Sequence, residues 1–245
     1  MSRTYRVFVS EEHPAEDEIL RLTGEESHHL SKVLRVGVGT QVEAMDGRGK
    51  VWRTEVVEVR PRASSLRILD EKRLEQPPVS FELAVALPKG GRMDDVVRQL
   101  TELGVSTISP LLTECGEAGK LAERTEAKLE KWGRIAIEAS KQSGNPWLPL
   151  ICAPRVFGQW LEDLPDGGMR LLGSLGSRTV SLSSLSRGEA NAVAIAIGPE
   201  GGFSKVEEDL AEAAGFARVR FSPHVLRVDT AGICALAVAQ EIFGV

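Results

Sequence analysis

The sequence predicts an α/β protein in two parts: a small β-rich module, then a larger α/β domain with a mostly parallel sheet. Three observations carry this. Beyond Gln76-Pro77-Pro78, short apolar runs alternate with amphipathic helical patterns, the signature of strands crossing over through helices. Before it, four runs rich in Val and other β-formers are separated by turn signals, as in a small all-β module. The length of 245 residues and the hydrophobic content of 42% suit two such folded parts, and Pro-Pro ends strands and stiffens linkers. The expected domains are residues 1–75 and 76–245.

In the first part, strands are expected over Tyr5–Val9, Thr40–Met45, Val51–Val59 and Ser65–Leu69. Asp46-Gly47-Arg48-Gly49 reads as a hairpin turn between two of them. A helix over Glu25–Val33 carries His28 and His29. Neighbours on a helix lie about 100° apart, so the pair cannot share a metal; one is expected packed and the other exposed.

In the second part, strands are expected over Phe81–Leu87, Val105–Ile108, Met169–Gly173, Ala192–Ile197 and Ala217–Phe221. A helix over Arg92–Leu103 should close at Gly104. A long helix over Glu123–Gln142 has Leu129, Trp132, Ile135, Ala136 and Ala139 along one stripe. Helices over Lys205–Ala214, closed by Gly215, and Ala231–Phe243 complete the set, the last capped by Asp229 or Thr230.

Composition excludes several classes. No apolar run approaches the roughly 20 residues that span a bilayer, so no membrane partner is expected. The N-terminal MSRTYRVFVSEEHPAEDE has no apolar signal core, which leaves the cytoplasm as the expected compartment. Cys115, Cys152 and Cys234 show no metal-ligand spacing; they read as reduced core residues, and no metal is expected. A net charge of −5 argues against non-specific coating of nucleic acid, which runs on phosphate neutralisation. Yet from Arg48 to Arg73 eight basic residues face four acidic ones, so that stretch is either a pair of solvated strand faces or an RNA-facing patch.

The chemistry concentrates in two loops. The strand Ala192–Ile197 runs into Gly198-Pro199-Glu200-Gly201-Gly202, and Ser204 stands three residues before Glu207 as a capping box. A strand, a glycine turn and a helix N-terminus make a socket whose free N–H groups suit a polar or anionic ligand; the turn alone is equally compatible with a bare strand-to-helix connection. The second loop is Ser222-Pro223-His224-Val225-Leu226-Arg227-Val228-Asp229-Thr230-Ala231. Two such loops can wall one pocket at the carboxyl edge of a sheet. There is no GxxxxGK[ST], and no GxGxxG on the first strand-to-helix turn, which excludes a P-loop and weighs against a dinucleotide-binding domain.

IGPEGGFSKVEEDLAEAAGF followed by SPHVLRVDTA resembles the RsmE-type 16S ribosomal RNA uracil-N3 methyltransferases of the SPOUT superfamily. LPKGGRMDDVVRQLTELGV and KLEKWGRIAIEASKQSG resemble two further segments of that family, and HHLSKVLRV with the DGRG turn resembles its PUA-like RNA-binding domain. The resemblance covers nearly the whole chain. It implies a small PUA-like β-barrel followed by a SPOUT domain with a deep trefoil knot, an exception to the rule against threaded chains. It also implies S-adenosylmethionine as cofactor, 16S ribosomal RNA in the small subunit as partner, and a homodimer that completes each site.

Carried over by motif, the cofactor would meet Leu172 and Gly173; Ile197, Gly198, Pro199, Glu200, Gly201 and Gly202; and Val225, Leu226, Arg227, Thr230 and Ala231. Arg227 and Glu200 are the catalytic candidates: Arg227 to stabilise a developing uracil anion or grip phosphate, Glu200 as base or cofactor-orienting group. Gln142 and Glu102 are weaker candidates. Arg35, Arg48, Arg53, Lys89 and Arg92 are the candidate RNA contacts. The chain departs from the family pattern at His224 and Asn145, where arginine is usual, at Gln99, where lysine is common, and at Asp229, where glutamate is usual. The lost cations motivate a competing reading, an RNA- or ribosome-binding protein that keeps the fold without catalysis. A nucleotide-hydrolysing enzyme rests on the glycine turn alone and lacks both a turn lysine and a clear metal-binding carboxylate pair.

Overall fold

Strands with one buried and one wet face build the N-terminal sheet. The computed structural model describes residues 4–10, 18–116, 125–174, 176, 179–185 and 190–244. Its contacts divide the chain into two units, one through Gln76 together with Ser140–Leu148, the other Pro77–Ala139 with Pro149–Val245.

The first unit contains β1 (Arg6–Phe8), β2 (Ile19–Thr23), α1 (Gly24–His28, continued as a wider helical turn over His29–Val33), β3 (Gln41–Met45), β4 (Lys50–Glu58) and β5 (Ala63–Arg73). Strand order is β1-β3-β4-β5-β2, with β1 parallel to β3 and the other pairs antiparallel. The sheet curls, so that Val7 of β1 and Leu20 and Leu22 of β2 share one core with Leu30, Trp52 and Leu66. His28 is exposed and His29 half-buried. At the β3–β4 turn Asp46 accepts from the N–H groups of Arg48 and Lys50, and Gly47 and Gly49 hold φ of 75° and 85°. A Cβ on Gly49 would lie 2.2 Å from the Trp147 ring, so only glycine allows that approach.

Residues 140–148 count with this unit for reasons visible in their bonds. Lys141, its side chain 5% exposed, pairs with Glu26 at 2.6 Å. The other Glu26 oxygen accepts from the Phe8 N–H, and Arg6 donates to the Lys141 carbonyl. A pairing so distant in sequence leaves no local pattern to read.

The second unit is a parallel sheet with helices on it. In chain order it has β6 (Ser80–Ala86), α2 (Met93–Glu102), β7 (Thr107–Leu112), α3 (Thr125–Ser143, its last turn counting with the first unit), β8 (Leu150–Ile151), β9 (Arg155–Val156) and α4 (Phe157–Glu162). There follow β10 (Met169–Gly173), β11 (Val180–Ser181), β12 (Ala192–Ile197), α5 (Lys205–Ala213), β13 (Ala217–Arg220) and α6 (Val228–Phe243). The order β11-β13-β10-β12-β6-β7-β8 is parallel throughout, with β9 also on β7. Parallel strands are covered on both faces, which is why β6 and β12 read as apolar runs and not as alternating ones. Residues of α4 and α5 pack with Ala84, Leu172 and Ala196 in one core, and α6 packs on α2, β6 and β12. β13, the last strand in the chain, lies between β10 and β11.

Three expectations are corrected. The second strand extends through Pro110, although proline lacks the ladder donor. Pro110 falls where the outer neighbour of β7 changes from β8, paired at Thr107–Ile108, to β9, paired at Leu111–Leu112, so no bond is lost on that side. The last helix starts at Val228: Arg227 is its extended N-cap, without a side-chain cap, and Asp229 lies in the first turn, where a carboxylate favours the helix dipole. The cysteines are free but none is fully buried, and Cys115 is exposed in the turn after β7. Glu123, the expected start of the long helix, lies outside the described residues.

Candidate functional site

Three strand ends and the loops that leave them enclose a cavity of about 360 Å³ at the carboxyl edge of the sheet. Its size falls within the roughly 300–1,000 Å³ of small-molecule sites, and its place is where open α/β sheets bind ligands. One wall follows β10 through Gly173 and Ser174. The second is Ile197–Phe203 after β12. The third is the segment from Phe221 to Leu226 after β13, with Ala231 on the first turn of α6.

The second wall is built by glycine. Gly202 donates to the Pro199 carbonyl at 2.8 Å and holds φ of 75°, closing a tight turn. A Cβ on Gly198 would meet the Phe203 ring at 3.0 Å, and one on Gly173 would meet Phe221 and the Ala196 carbonyl at 3.2–3.3 Å. The Phe203 ring rests on Phe157, with centroids 4.8 Å apart, so the turn lies on a fixed aromatic support. Directly afterwards Ser204 accepts from Glu207 N while Glu207 accepts from Ser204 N, the reciprocal capping box. The remaining Glu207 oxygen accepts from Glu114 N, tying the turn after β7 to the start of α5.

Of the cofactor-contact candidates, Gly173, Ile197, Gly198, Pro199, Glu200, Gly201, Gly202, Val225, Leu226 and Ala231 line this one cavity. Leu172 does not; its side chain is fully buried in the core with Ala196 and Phe216. Arg227 and Thr230 are exposed beside the cavity and are not part of its wall. Glu200 stands at the mouth, its carboxylate 3.8 Å from Arg92. Glu102 pairs with Arg98 one turn away on α2, and Gln142 belongs with the N-terminal unit; neither lines the cavity. Ser174, Phe203, Glu208, Phe221 and His224 line it without having been assigned to it from sequence. Glu208 had a usable signal, since it stands four residues after the Ser204 cap and shares that helix face. The phenylalanines had none.

The cation candidates divide. Arg35 is exposed with φ of 52°, a left-handed conformation rare outside glycine. Arg48 and Arg53 are exposed on the hairpin turn and on β4. The Lys89 side chain lies outside the described ones. Within the Arg48–Arg73 stretch, Lys50 pairs with Glu71 and Arg60 with Glu58, at 3.0 and 2.6 Å. The hydrogen bond and charge of Lys50 hold the Glu71 carboxyl below its usual range. Pairing therefore cancels part of the local positive excess. Among the described residues no cluster of three His, Cys, Asp or Glu side chains could hold a metal ion, and no helix is long and apolar enough to cross a membrane.

Apolar side chains from Ile197, Val225 and Leu226, with backbone groups freed by glycine, suit a ligand with a flat apolar ring and polar edges. The family described as RNA methyltransferase domain matches residues 75–240, and that described as RNA methyltransferase PUA domain matches residues 22–69. Fold and cavity thus define an RNA methyltransferase-type α/β protein with an N-terminal PUA domain.

The chain is 35% identical to the ribosomal RNA small subunit methyltransferase E of Synechocystis, over 95% of this chain and 76% of that protein. It is 32% identical to the protein of that name from Aquifex aeolicus, over 96% and 99%. Among solved structures, the small subunit methyltransferase E of Neisseria gonorrhoeae bound to S-adenosyl methionine superposes with a TM-score of 0.88 at 27% identity, covering 98% of each chain. A Legionella pneumophila methyltransferase in complex with the same cofactor gives 0.88 at 30%, again over 98% of each. The chain belongs to the ribosomal RNA small subunit methyltransferase E family.

Proposed function

We propose that this protein transfers the methyl group of S-adenosylmethionine to N3 of a uridine in 16S ribosomal RNA, acting on the assembled small subunit. The observation that carries the proposal is the single cavity formed by Gly173, the Gly198–Gly202 turn and Val225–Leu226, in a chain whose superposed relatives hold this cofactor. The residues fit the group: Gly173 and Gly198 let the Phe221 and Phe203 rings close in beside the turn, Gly201 and Gly202 leave its backbone exposed, and Val225 and Leu226 supply the apolar wall for adenine. Bound there, the cofactor supplies a methyl already activated by its sulfonium.

The remaining work belongs to this chain. Uracil N3 must lie in line with the methyl group and lose its proton. Arg227, the exposed N-cap of α6, would stabilise the uracil anion as the N3–H bond breaks. Glu200, turned toward Arg92 at the mouth, orients the turn or takes the proton. The products are 3-methyluridine and S-adenosylhomocysteine, with the N3 proton passed to an acceptor. The N-terminal unit, with exposed Arg35, Arg48 and Arg53, docks the RNA.

Two structural features belong to the same reading. A deep trefoil passage in the C-terminal domain is supported by β13 lying between β10 and β11. Homodimerisation is supported by exposed apolar side chains on α5 and α6, Val206, Leu210 and Val238.

The test is methyl transfer from labelled cofactor to small ribosomal subunits that lack the modification, followed by digestion to nucleosides. The proposal expects 3-methyluridine. Cofactor binding without transfer to any ribosomal particle would instead favour the non-catalytic RNA-binding reading, motivated by His224 and Asn145.

A further inference from the structure

The cavity holds a carboxylate that the proposed chemistry does not use. Two acidic side chains line it, Glu200 at the mouth and Glu208 farther in. Glu208 is 22% exposed and stands on α5, one turn after the Ser204 cap. Helical side chains lean toward the helix N-terminus, so residue 208 tilts back toward the glycine turn.

Its orientation is fixed from two sides. Arg218 of β13, 14% exposed, donates to Oε2 at 2.8 Å, and the Ser174 hydroxyl lies 3.4 Å from Oε1. Arg218 also pairs with Glu212 at 3.1 Å, so the guanidinium is clamped as well. A carboxylate oxygen accepts about two hydrogen bonds, so each oxygen of Glu208 keeps an acceptor position free.

We propose that Glu208 is a specificity residue that accepts hydrogen bonds from the vicinal hydroxyls of the cofactor's ribose. The inference rests on the cavity being the S-adenosylmethionine site. Arg218 covers one side of Glu208, shared with Asp209 and Glu212, and an ammonium at the same carboxylate would face that guanidinium across a few ångströms. Hydroxyls meet no such repulsion. Two acceptors side by side on one carboxylate also match two donors on adjacent carbons, the use to which acidic residues are put in other nucleoside-binding folds. The apolar end of the cavity, at Ile197, Val225 and Leu226, is left for adenine.

The test titrates full-length protein with S-adenosylhomocysteine, with 5′-methylthioadenosine, which lacks the amino-acid tail, and with the 2′-deoxy form of 5′-methylthioadenosine. In the unmodified protein the deoxy analogue is expected to bind at least 10-fold more weakly than its parent. Glu208→Gln is expected to weaken the two ribose ligands alike, by about 10- to 100-fold, the range for hydrogen bonds to charged groups, and to close the gap to the deoxy analogue. The analogue comparison in unmodified protein needs no folded variant. Equal binding of parent and deoxy analogue overturns the assignment. So does a Glu208→Gln loss confined to S-adenosylhomocysteine, which would give the carboxylate to the amino-acid tail. If unmodified protein binds none of the three, the cofactor reading itself fails, an outcome separate from either of these.

Discussion

The N-terminal sheet and the C-terminal cavity offer contrasting surfaces. The sheet displays charge: Arg48, Arg53, Arg67 and Lys72 stand exposed on strand faces and turns, interleaved with Glu and Asp. The cavity displays two carboxylates, Glu200 and Glu208, each with an arginine beside it. It is shaped by what is missing, the Cβ atoms of Gly173 and Gly198, and by apolar side chains, while its inner carboxylate is held by Arg218. A long polyanion held by many weak, screened contacts suits the first surface. A small cofactor held by shape and backbone suits the second. The contrast implies that recognition of RNA and of cofactor should separate under mutation.

The largest separation is expected at Arg227. Arg227→Ala should lower single-turnover methyl transfer by about 10²- to 10³-fold, the usual loss for a group that stabilises transition-state charge. Cofactor affinity by calorimetry should change little, because Arg227 lies outside the cavity wall. An equal collapse of affinity would remove Arg227 from the catalytic role.

Next comes the anchoring of residues 140–148. Lys141→Met strands the Glu26 carboxylate and should cost about 3 kcal/mol in urea unfolding, as for other buried pairs that lose one partner. A loss below about 1 kcal/mol would mean the pair is solvated like a surface bridge.

A smaller effect is expected at the cofactor turn. Ser204→Ala removes half of the capping box and should destabilise by about 1 kcal/mol, lowering Tm by about 2–4 °C for a chain of this size. An unchanged Tm would show that Glu207 carries the turn without the serine.

The smallest change belongs to the sheet. Arg53→Ala should reduce the slope of log RNA affinity against log salt by about 1 and leave cofactor affinity untouched. A constant slope would place RNA elsewhere on the N-terminal unit.

How much of this was legible follows from how local each signal is. The capping box, the φ-positive glycines at 104 and 215 and the strands Met169–Gly173 and Ala192–Ile197 were readable because each is decided within a few residues. The glycine turn announced a socket for the same reason. The short strands β8, β9 and β11 and the helix α4 were missed, since two to six residues carry no period. Pro110 misled because its neighbours in the sheet, not its sequence, make it harmless. The membership of 140–148 in the N-terminal unit depends on Glu26, Arg6 and Gly49, about a hundred residues away. The roles of Arg227 and Glu200 came from resemblance. Geometry adds that one is the exposed N-cap of α6 and the other is paired with Arg92.

The central claim is that the glycine-built cavity is the cofactor site, and distorting its turn is the most direct test. In Gly198→Val the added side chain would occupy space now held by the Phe203 ring and the turn backbone, whose nearest atoms lie 3.0–3.3 Å from a Cβ. Calorimetric titration of S-adenosylmethionine into unmodified protein should give one site per chain, and into Gly198→Val a loss of more than about 100-fold, in line with hot-spot substitutions of 2 kcal/mol and more. Unchanged affinity in a folded Gly198→Val protein would contradict the account and place the cofactor elsewhere.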